Sequence, residues 1–238
     1  MDRRLHAVVI GTGGLGCPAI LGLLAAGVDR FTLVDDDVVE TSNLARQVLY
    51  GPADVGFGKA GTARAAILRR VPGARVEVLG QRLAPQDATS FVADLDDQAV
   101  VLDATDDPAV KFALNDACRA RGVPLVIGAA LGLAAQVMGV GGEGACYRCI
   151  YEAPPPPERL PTCDRAGVLP TVVGLAGFAM AQLATAFRGG ILHVFDGATT
   201  AFRTLHPERR ATCPACNLRG LGPHPSSTPP SIHSERMS

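Results

Sequence analysis

The chain has 238 residues, 47% of them hydrophobic, with 22 basic and 23 acidic side chains for a net charge of −1. That is enough for one large α/β domain with a full core, and it excludes a disordered polypeptide. There is no basic excess to neutralise a phosphate backbone, aromatic residues are only 5%, and tryptophan is absent, so nucleic acid is excluded as a partner.

In chain order, residues 7–10 form a short apolar run that reads as a buried strand. The glycine turn Gly11-Thr12-Gly13-Gly14-Leu15-Gly16 follows, then a helix over 17–26 ending at Gly27. No charged residue occurs between Leu5 and Val28, and Arg3 and Arg4 precede the run, which is the outline of a signal peptide or membrane span. Six glycines and a proline within it favour a buried strand, a turn and a buried helix, and so a cytoplasmic protein. Residues 31–35 read as strand two, 59–70 as a helix stopped before Pro72, and 75–79 as strand three. A weaker helix is expected over 85–95, a central strand over 99–104, a helix over 108–121 and a strand over 125–127. The glycine-interrupted run 131–140 reads as a further strand. The stretch 153–162, with four consecutive prolines, must be a loop. Residues 171–188 form an apolar helix in which Gly174, Gly177, Ala181 and Ala184 permit close approach of another helix, and 191–195 with 200–205 read as a hairpin. Past Leu218 the chain is Pro/Ser-rich, the composition of a disordered tail. The alternation of strand and helix predicts an α/β fold with a Rossmann-like, doubly wound mixed sheet.

The glycine turn between a strand and a helix brings backbone close to a phosphate chain at the helix N-terminus, where free N–H groups and the helix dipole favour anions. Asp35 ends strand two where an acidic side chain grips a ribose. On these residues alone an NAD site fits. The polar cluster Ser42, Asn43 and Arg46, with Lys59 after Gly-Phe-Gly, adds two fixed cations and several donors, which suits a reacting triphosphate. The competing reading of Arg46 is a surface ion pair with Asp36, Asp37 or Glu40. Asp106 follows strand four at the carboxyl edge of the sheet, where a carboxylate suits Mg²⁺; Asp107 suits the N-cap of the next helix. Cys146-x-x-Cys149 and Cys213-x-x-Cys216 have the spacing of two halves of a closed zinc site; unrelated reduced pairs, or a redox motif in one of them, are the alternatives. Cys17 and Cys118 fall among apolar helix residues and read as packing.

The joint pattern resembles the ThiF/MoeB/HesA family, bacterial relatives of ubiquitin-activating enzymes. It comprises Gly11 to Gly16, Leu33-Val34-Asp35 through Ser42-Asn43-Leu44-Ala45-Arg46-Gln47, Lys59, Ala104-Thr105-Asp106-Asp107 and the two cysteine pairs. The resemblance runs from about Leu5 to Asn217. It implies a nucleotide-binding half over about 1–128, a carrier- and zinc-binding half over about 129–218 that forms a C-terminal zinc-clamped extension, and a tail over 219–238. It implies ATP, Mg²⁺ and Zn²⁺ as cofactors. ATP would be held by Gly11, Gly13, Gly14, Asp35, Ser42, Asn43, Leu44, Ala45, Arg46, Lys59, Asp106 and Asp107, magnesium by Asp106, and zinc by Cys146, Cys149, Cys213 and Cys216. The implied activity is adenylation of the C-terminal Gly-Gly carboxylate of a small ubiquitin-like sulfur-carrier protein by a homodimer, with sulfur from a separate donor protein. Arg46, Lys59 and Asp106 would act in adenylation. Cys163, in Thr162-Cys163-Asp164-Arg165, would accept the activated carrier, although an inert loop cysteine fits the same residues. The chain departs from the family at Asp107, usually Asn, and in having Met1 just ahead of strand one, where relatives carry an R-Y-x-R-Q arm. The rival readings are a non-catalytic carrier-binding subunit and an NAD-dependent oxidoreductase.

Overall fold

The computed structural model describes residues 5–156 and 167–217. Its sheet has eight strands: β1 (His6–Ile10), β2 (Arg30–Val34), β3 (Arg75–Leu79), β4 (Ala99–Asp103), β5 (Leu125–Leu131), β6 (Ala134–Val140), β7 (Ile191–Asp196) and β8 (Ala201–Leu205). The order is β3-β2-β1-β4-β5-β6-β7-β8. The first five strands are parallel, and β6, β7 and β8 continue the sheet antiparallel. Every residue of β1 and of β4 is buried, as their continuous apolar runs require of strands covered on both faces.

One face is covered by α1 (Gly16–Ala25), α2 (Lys59–Arg70) and α6 (Pro170–Thr185), which share a core with Val9, Leu33 and Leu102. The other carries α3 (Ala88–Ala93) and α4 (Pro108–Arg121), packed with Ile10, Val101 and Ile127. The short helix α5 (Tyr147–Ile150) and the cysteines Cys146, Cys213 and Cys216 extend that second core. Helix α4 starts where Asp107 Oδ1 accepts the Ala109 amide at 2.8 Å and ends at Gly122 with φ 77°, a capped start and a left-handed stop.

The departures from the sequence reading are local. The expected helix over 85–95 is a 3-10 turn (Pro85–Asp87) followed by the six-residue α3. Strand β5 runs on to Leu131, because the two-residue turn Gly132-Leu133 folds β6 back on it as a hairpin, with Gly132 at φ 58°. The small-residue face of α6 is used within the chain. A Cβ at Gly177 would lie 2.3 Å from Pro18 Cγ, and one at Gly22 would lie 2.6 Å from Ala181 Cβ, so α1 and α6 meet at backbone distance. The expected loop over 153–162 is without regular structure as far as Pro156; its remainder, Cys163 and the tail past Leu218 lie outside the described residues. Among the described residues no helix is long and apolar enough to cross a membrane.

Candidate nucleotide and thiolate sites

The strand order reverses between β1 and β4, the switch point at whose carboxyl edge open α/β sheets bind ligands. A cavity of about 610 Å³ lies there, walled by the glycine turn, the β2–α2 connection and the β4–α4 turn. Gly11 has φ +86°, and a Cβ on it would lie 2.9 Å from Ala104 O, so only glycine lets the two strand ends meet. A Cβ on Gly14 would lie 2.9 Å from Val173, so this glycine makes room for α6. No acidic residue stands in the first turn of α1, which leaves its positive end available to an anion. Asp35 Oδ2 accepts the Thr12 amide at 2.6 Å and the Thr12 hydroxyl at 3.0 Å, while Oδ1 accepts the Asp37 amide at 2.9 Å. The carboxylate is thereby fixed in the cavity wall.

Arg46 lines the cavity and donates to Ser42 O at 3.2 Å. It forms no ion pair with Asp36, Asp37 or Glu40, so the surface-pair reading does not describe it. Lys59, by contrast, is held by an acid: it is buried and 2.8 Å from Asp37 Oδ2. Arg82 bridges Asp36 at 3.3 Å and Asp37 at 3.8 Å at the same wall. Tyr50 joins the two halves of this wall: its buried hydroxyl lies 2.7 Å from Thr12 O, 3.1 Å from Thr12 Oγ1 and 3.2 Å from Lys59 O. It ties the glycine turn to the first residue of α2, and burial pushes its phenol well above the usual range.

Across the cavity, Asp106 is exposed and lines it, while Asp107 lines it and caps α4. Beneath them Lys111, 3% exposed, donates to Asp103 Oδ1 at 3.2 Å, Thr105 O at 2.8 Å and Gly128 O at 2.8 Å. Asp103 is fully buried and also accepts the Thr105 amide and hydroxyl. This buried pair locks the turn that carries Asp106 to the edge of β5.

The four cysteines converge although 67 residues separate the pairs. Cys146 Sγ lies 3.9 Å from Cys149 Sγ and 3.6 Å from Cys213 Sγ, and Cys149 Sγ lies 3.6 Å from Cys216 Sγ. Four thiolates around a zinc ion at about 2.3 Å stand about 3.8 Å apart, so the donor set fits a closed Zn–S₄ centre. Burial and neighbouring thiols hold the Cys146 thiol high. The Cys149 thiol, which burial would raise, is instead pulled down to about 7 by backbone hydrogen bonds at Cys146 and Arg210 and by the partner thiols. Asn115 Oδ1 accepts the Tyr147 amide at 2.8 Å, and Arg148 grips both oxygens of Asp116 at 2.7 and 2.9 Å, so the lobe is bolted to α4.

The profile of the ThiF family matches residues 3–219. The chain belongs to the ThiF family. It is 39% identical over 230 residues to the adenylyltransferase and sulfurtransferase MOCS3 of Drosophila willistoni, and 41% identical over 225 residues to that of Mus musculus. These alignments cover 92% and 91% of this chain but 50% and 48% of those proteins, so the chain spans about half the length of the curated relatives it matches. Among solved structures it is similar to E. coli MccB with ATP, at TM-score 0.74 and 19% identity over 90% of this chain and 67% of that one. PaaA is also similar, at TM-score 0.66 and 20% identity over 86% of this chain and 64% of that one. These structures establish the ThiF-type fold.

Of the residues singled out from the sequence, Gly11, Gly13, Gly14, Asp35, Asn43, Arg46, Lys59, Asp106 and Asp107 line the cavity. Ser42, Leu44 and Ala45 do not; Ser42 reaches it only through its carbonyl, which holds Arg46. Tyr50, Arg82, Lys111 and Tyr147 were not legible as site residues, because their roles rest on partners distant in sequence. Gln47 was quoted only as part of a motif; it is buried in the wall, its Oε1 without a partner among the described residues.

Proposed function

We propose that this chain adenylates the C-terminal carboxylate of a small ubiquitin-like sulfur-carrier protein ending in Gly-Gly, using ATP and Mg²⁺. The supporting observation is the meeting of the glycine turn, Arg46, Lys59 and Asp106 around one switch-point cavity, in a chain related to proteins named adenylyltransferase and sulfurtransferase. The first-turn amides of α1 would receive the phosphates and Asp35 the ribose hydroxyls. The carrier carboxylate, already an anion, attacks the α-phosphorus; the bond from that phosphorus to the bridging oxygen breaks, and pyrophosphate leaves. No general base is required, so the protein supplies alignment and electrostatic stabilisation. Arg46 and Lys59 would take the charge that shifts onto the leaving group. For Lys59 this is an exchange of partners, phosphate for Asp37. Magnesium, held by Asp106 and phosphate oxygens, would add neutralising charge. Zinc on Cys146, Cys149, Cys213 and Cys216 would be structural. Cys163 would take the activated acyl group as a thioester with release of AMP, and a separate donor protein would supply sulfur.

The working unit would be a cytoplasmic homodimer. With the small face of α6 committed to α1, its outer face still exposes Leu175 and Phe178, and Leu169 and Leu133 stand exposed where residues 167–169 bond to Gly132. Sedimentation at micromolar concentration should give a dimer; a monomer would refute that part. The main test is ATP–pyrophosphate exchange with carriers ending in Gly-Gly, against the same carriers lacking the last glycine. Exchange dependent on the intact tail is expected, and none with any carrier, or thermal stabilisation by NAD instead of ATP–Mg²⁺, would overturn the reading.

A further inference from the structure

In the adenylation reading Lys59 turns from Asp37 to a phosphate, and that exchange leaves the acidic side of the cavity short of a cation. Asp35, Asp36 and Asp37 each place a carboxylate oxygen within 4.8 Å of the others. Asp35 is held by backbone amides and the Thr12 hydroxyl. Asp36 and Asp37 rely on two cations among the described residues. Lys59 is 2.8 Å from Asp37 Oδ2, and Arg82 is 3.3 Å from Asp36 Oδ1 and 3.8 Å from Asp37 Oδ1. Like charges this close repel one another, and a triphosphate beside them adds to the repulsion.

The two cations differ in freedom. Lys59 opens α2, its amide bonded to Asp37 O at 2.8 Å and its side chain only 8% exposed. Arg82 stands in the connection after β3, lines the same cavity and has a side chain 69% exposed. Its Nε already donates to Asp36, while its Nη2 faces the Asp37 oxygen that Lys59 does not use. A shift of about 1 Å turns that approach into a charge-assisted hydrogen bond. A guanidinium, with several donors in one rigid fork, is suited to bridging two carboxylates.

We propose that Arg82 is a positioning residue for Lys59: its guanidinium takes over Asp37 as the Lys59 ammonium passes to the phosphate chain of the nucleotide. Lys59 is thereby released without leaving Asp36 and Asp37 as unpaired negative charges beside ATP. This rests on the adenylation reading of the cavity. Arg82 acts on the nucleotide through Asp37 and Lys59 and does not touch it.

The test is calorimetric titration of the protein with ATP–Mg²⁺, for wild type, Arg82→Ala, Arg82→Lys and the double variant Asp37→Asn/Arg82→Ala. An exposed ion pair corresponds to about 1.4- to 5-fold in affinity. The ATP Kd should rise within that range in Arg82→Ala, and the difference should shrink as salt screens the charges. Arg82→Lys, which keeps the charge, should recover part of the loss. The double variant should bind ATP at least as tightly as wild type, because Lys59 then has no carboxylate to leave. An unchanged Kd in Arg82→Ala overturns the proposal. So does a loss that persists in the double variant, which would put Arg82 itself on the nucleotide. Wild-type protein that binds no ATP–Mg²⁺ refutes the adenylation reading, and this inference with it.

Discussion

Lys111→Met should be among the most destabilising single substitutions in this chain. The ammonium is 3% exposed and satisfies three acceptors: Asp103 Oδ1 at 3.2 Å, Thr105 O and Gly128 O, both at 2.8 Å. Methionine matches the length and apolar stem of lysine but leaves Asp103, fully buried, without its cation. Asp103 keeps only the Thr105 amide at 3.0 Å and hydroxyl at 2.7 Å, its Oδ2 has no partner among the described residues, and two carbonyls lose a donor. Breaking one side of a buried pair costs about 3–5 kcal/mol. At about 2–4 °C per kcal/mol for a domain of this size, Tm should fall by about 6–20 °C. Removing both charges in Asp103→Asn/Lys111→Met takes away the uncompensated carboxylate, so the double variant should be more stable than the summed single losses predict, by about 1–3 kcal/mol. Urea unfolding followed by far-ultraviolet circular dichroism measures all three variants. A Lys111→Met loss under about 1 kcal/mol, or additive single variants, would refute the role given to the pair. Because Lys111 also holds the Thr105 carbonyl next to Asp106, pyrophosphate exchange should fall in Lys111→Met even at temperatures where it is folded.

Three further outcomes are expected. Arg46→Ala, Lys59→Ala and Asp106→Ala should each lower pyrophosphate exchange by about 10²–10³, the usual effect of losing one preorganised charge, whereas Cys163→Ala should keep exchange and lose later acyl or sulfur transfer; an Asp106→Ala protein with normal exchange would remove Asp106 from the site. Freshly purified protein should hold one zinc per chain by metal analysis, and Cys213→Ser should release it and lower Tm; zinc-free native protein would count against the Zn–S₄ assignment. His6 is held below its usual range, first by burial and against the pull of Asp96, so the unfolded chain binds the proton more readily than the folded one. Its stabilising contribution is complete above about pH 6.5 and declines as pH falls towards the lowered folded value, so wild-type Tm should drop more than that of His6→Gln between about pH 7 and 5; parallel profiles would assign the pH dependence elsewhere.

Elements stabilised by local patterns were legible from the chain itself. The span of α2 (Lys59–Arg70) is set by Gly58 before it and Pro72 after it, and that of α4 by Asp107-Pro108 and Gly122. The runs at β1 and β4 are apolar throughout because both sheet faces are covered. That the glycine turn, Asp35, Arg46 and Lys59 gather at one cavity was readable because they sit at short offsets after β1 and β2. Harder to read were β5 beyond Ile127, whose extension depends on pairing with β6, and the short α5, whose amide and Arg148 are held by α4.

The sequence by itself determined the strand and helix order, the glycine turn and the spacing of the four thiols, since each depends on backbone propensity or on spacing of a few residues. Only the tertiary structure decided how charge is distributed around the cavity. Which cation pairs with which carboxylate depends on contacts between segments distant in the chain: Lys59 with Asp37 over 22 positions and Arg82 with Asp36 over 46. It likewise decided that the small face of α6 is spent on α1, because a helix of small residues carries no label for the surface it will meet. Tyr50 became visible only when the fold carried its hydroxyl to the glycine turn and the start of α2, where it meets three oxygens.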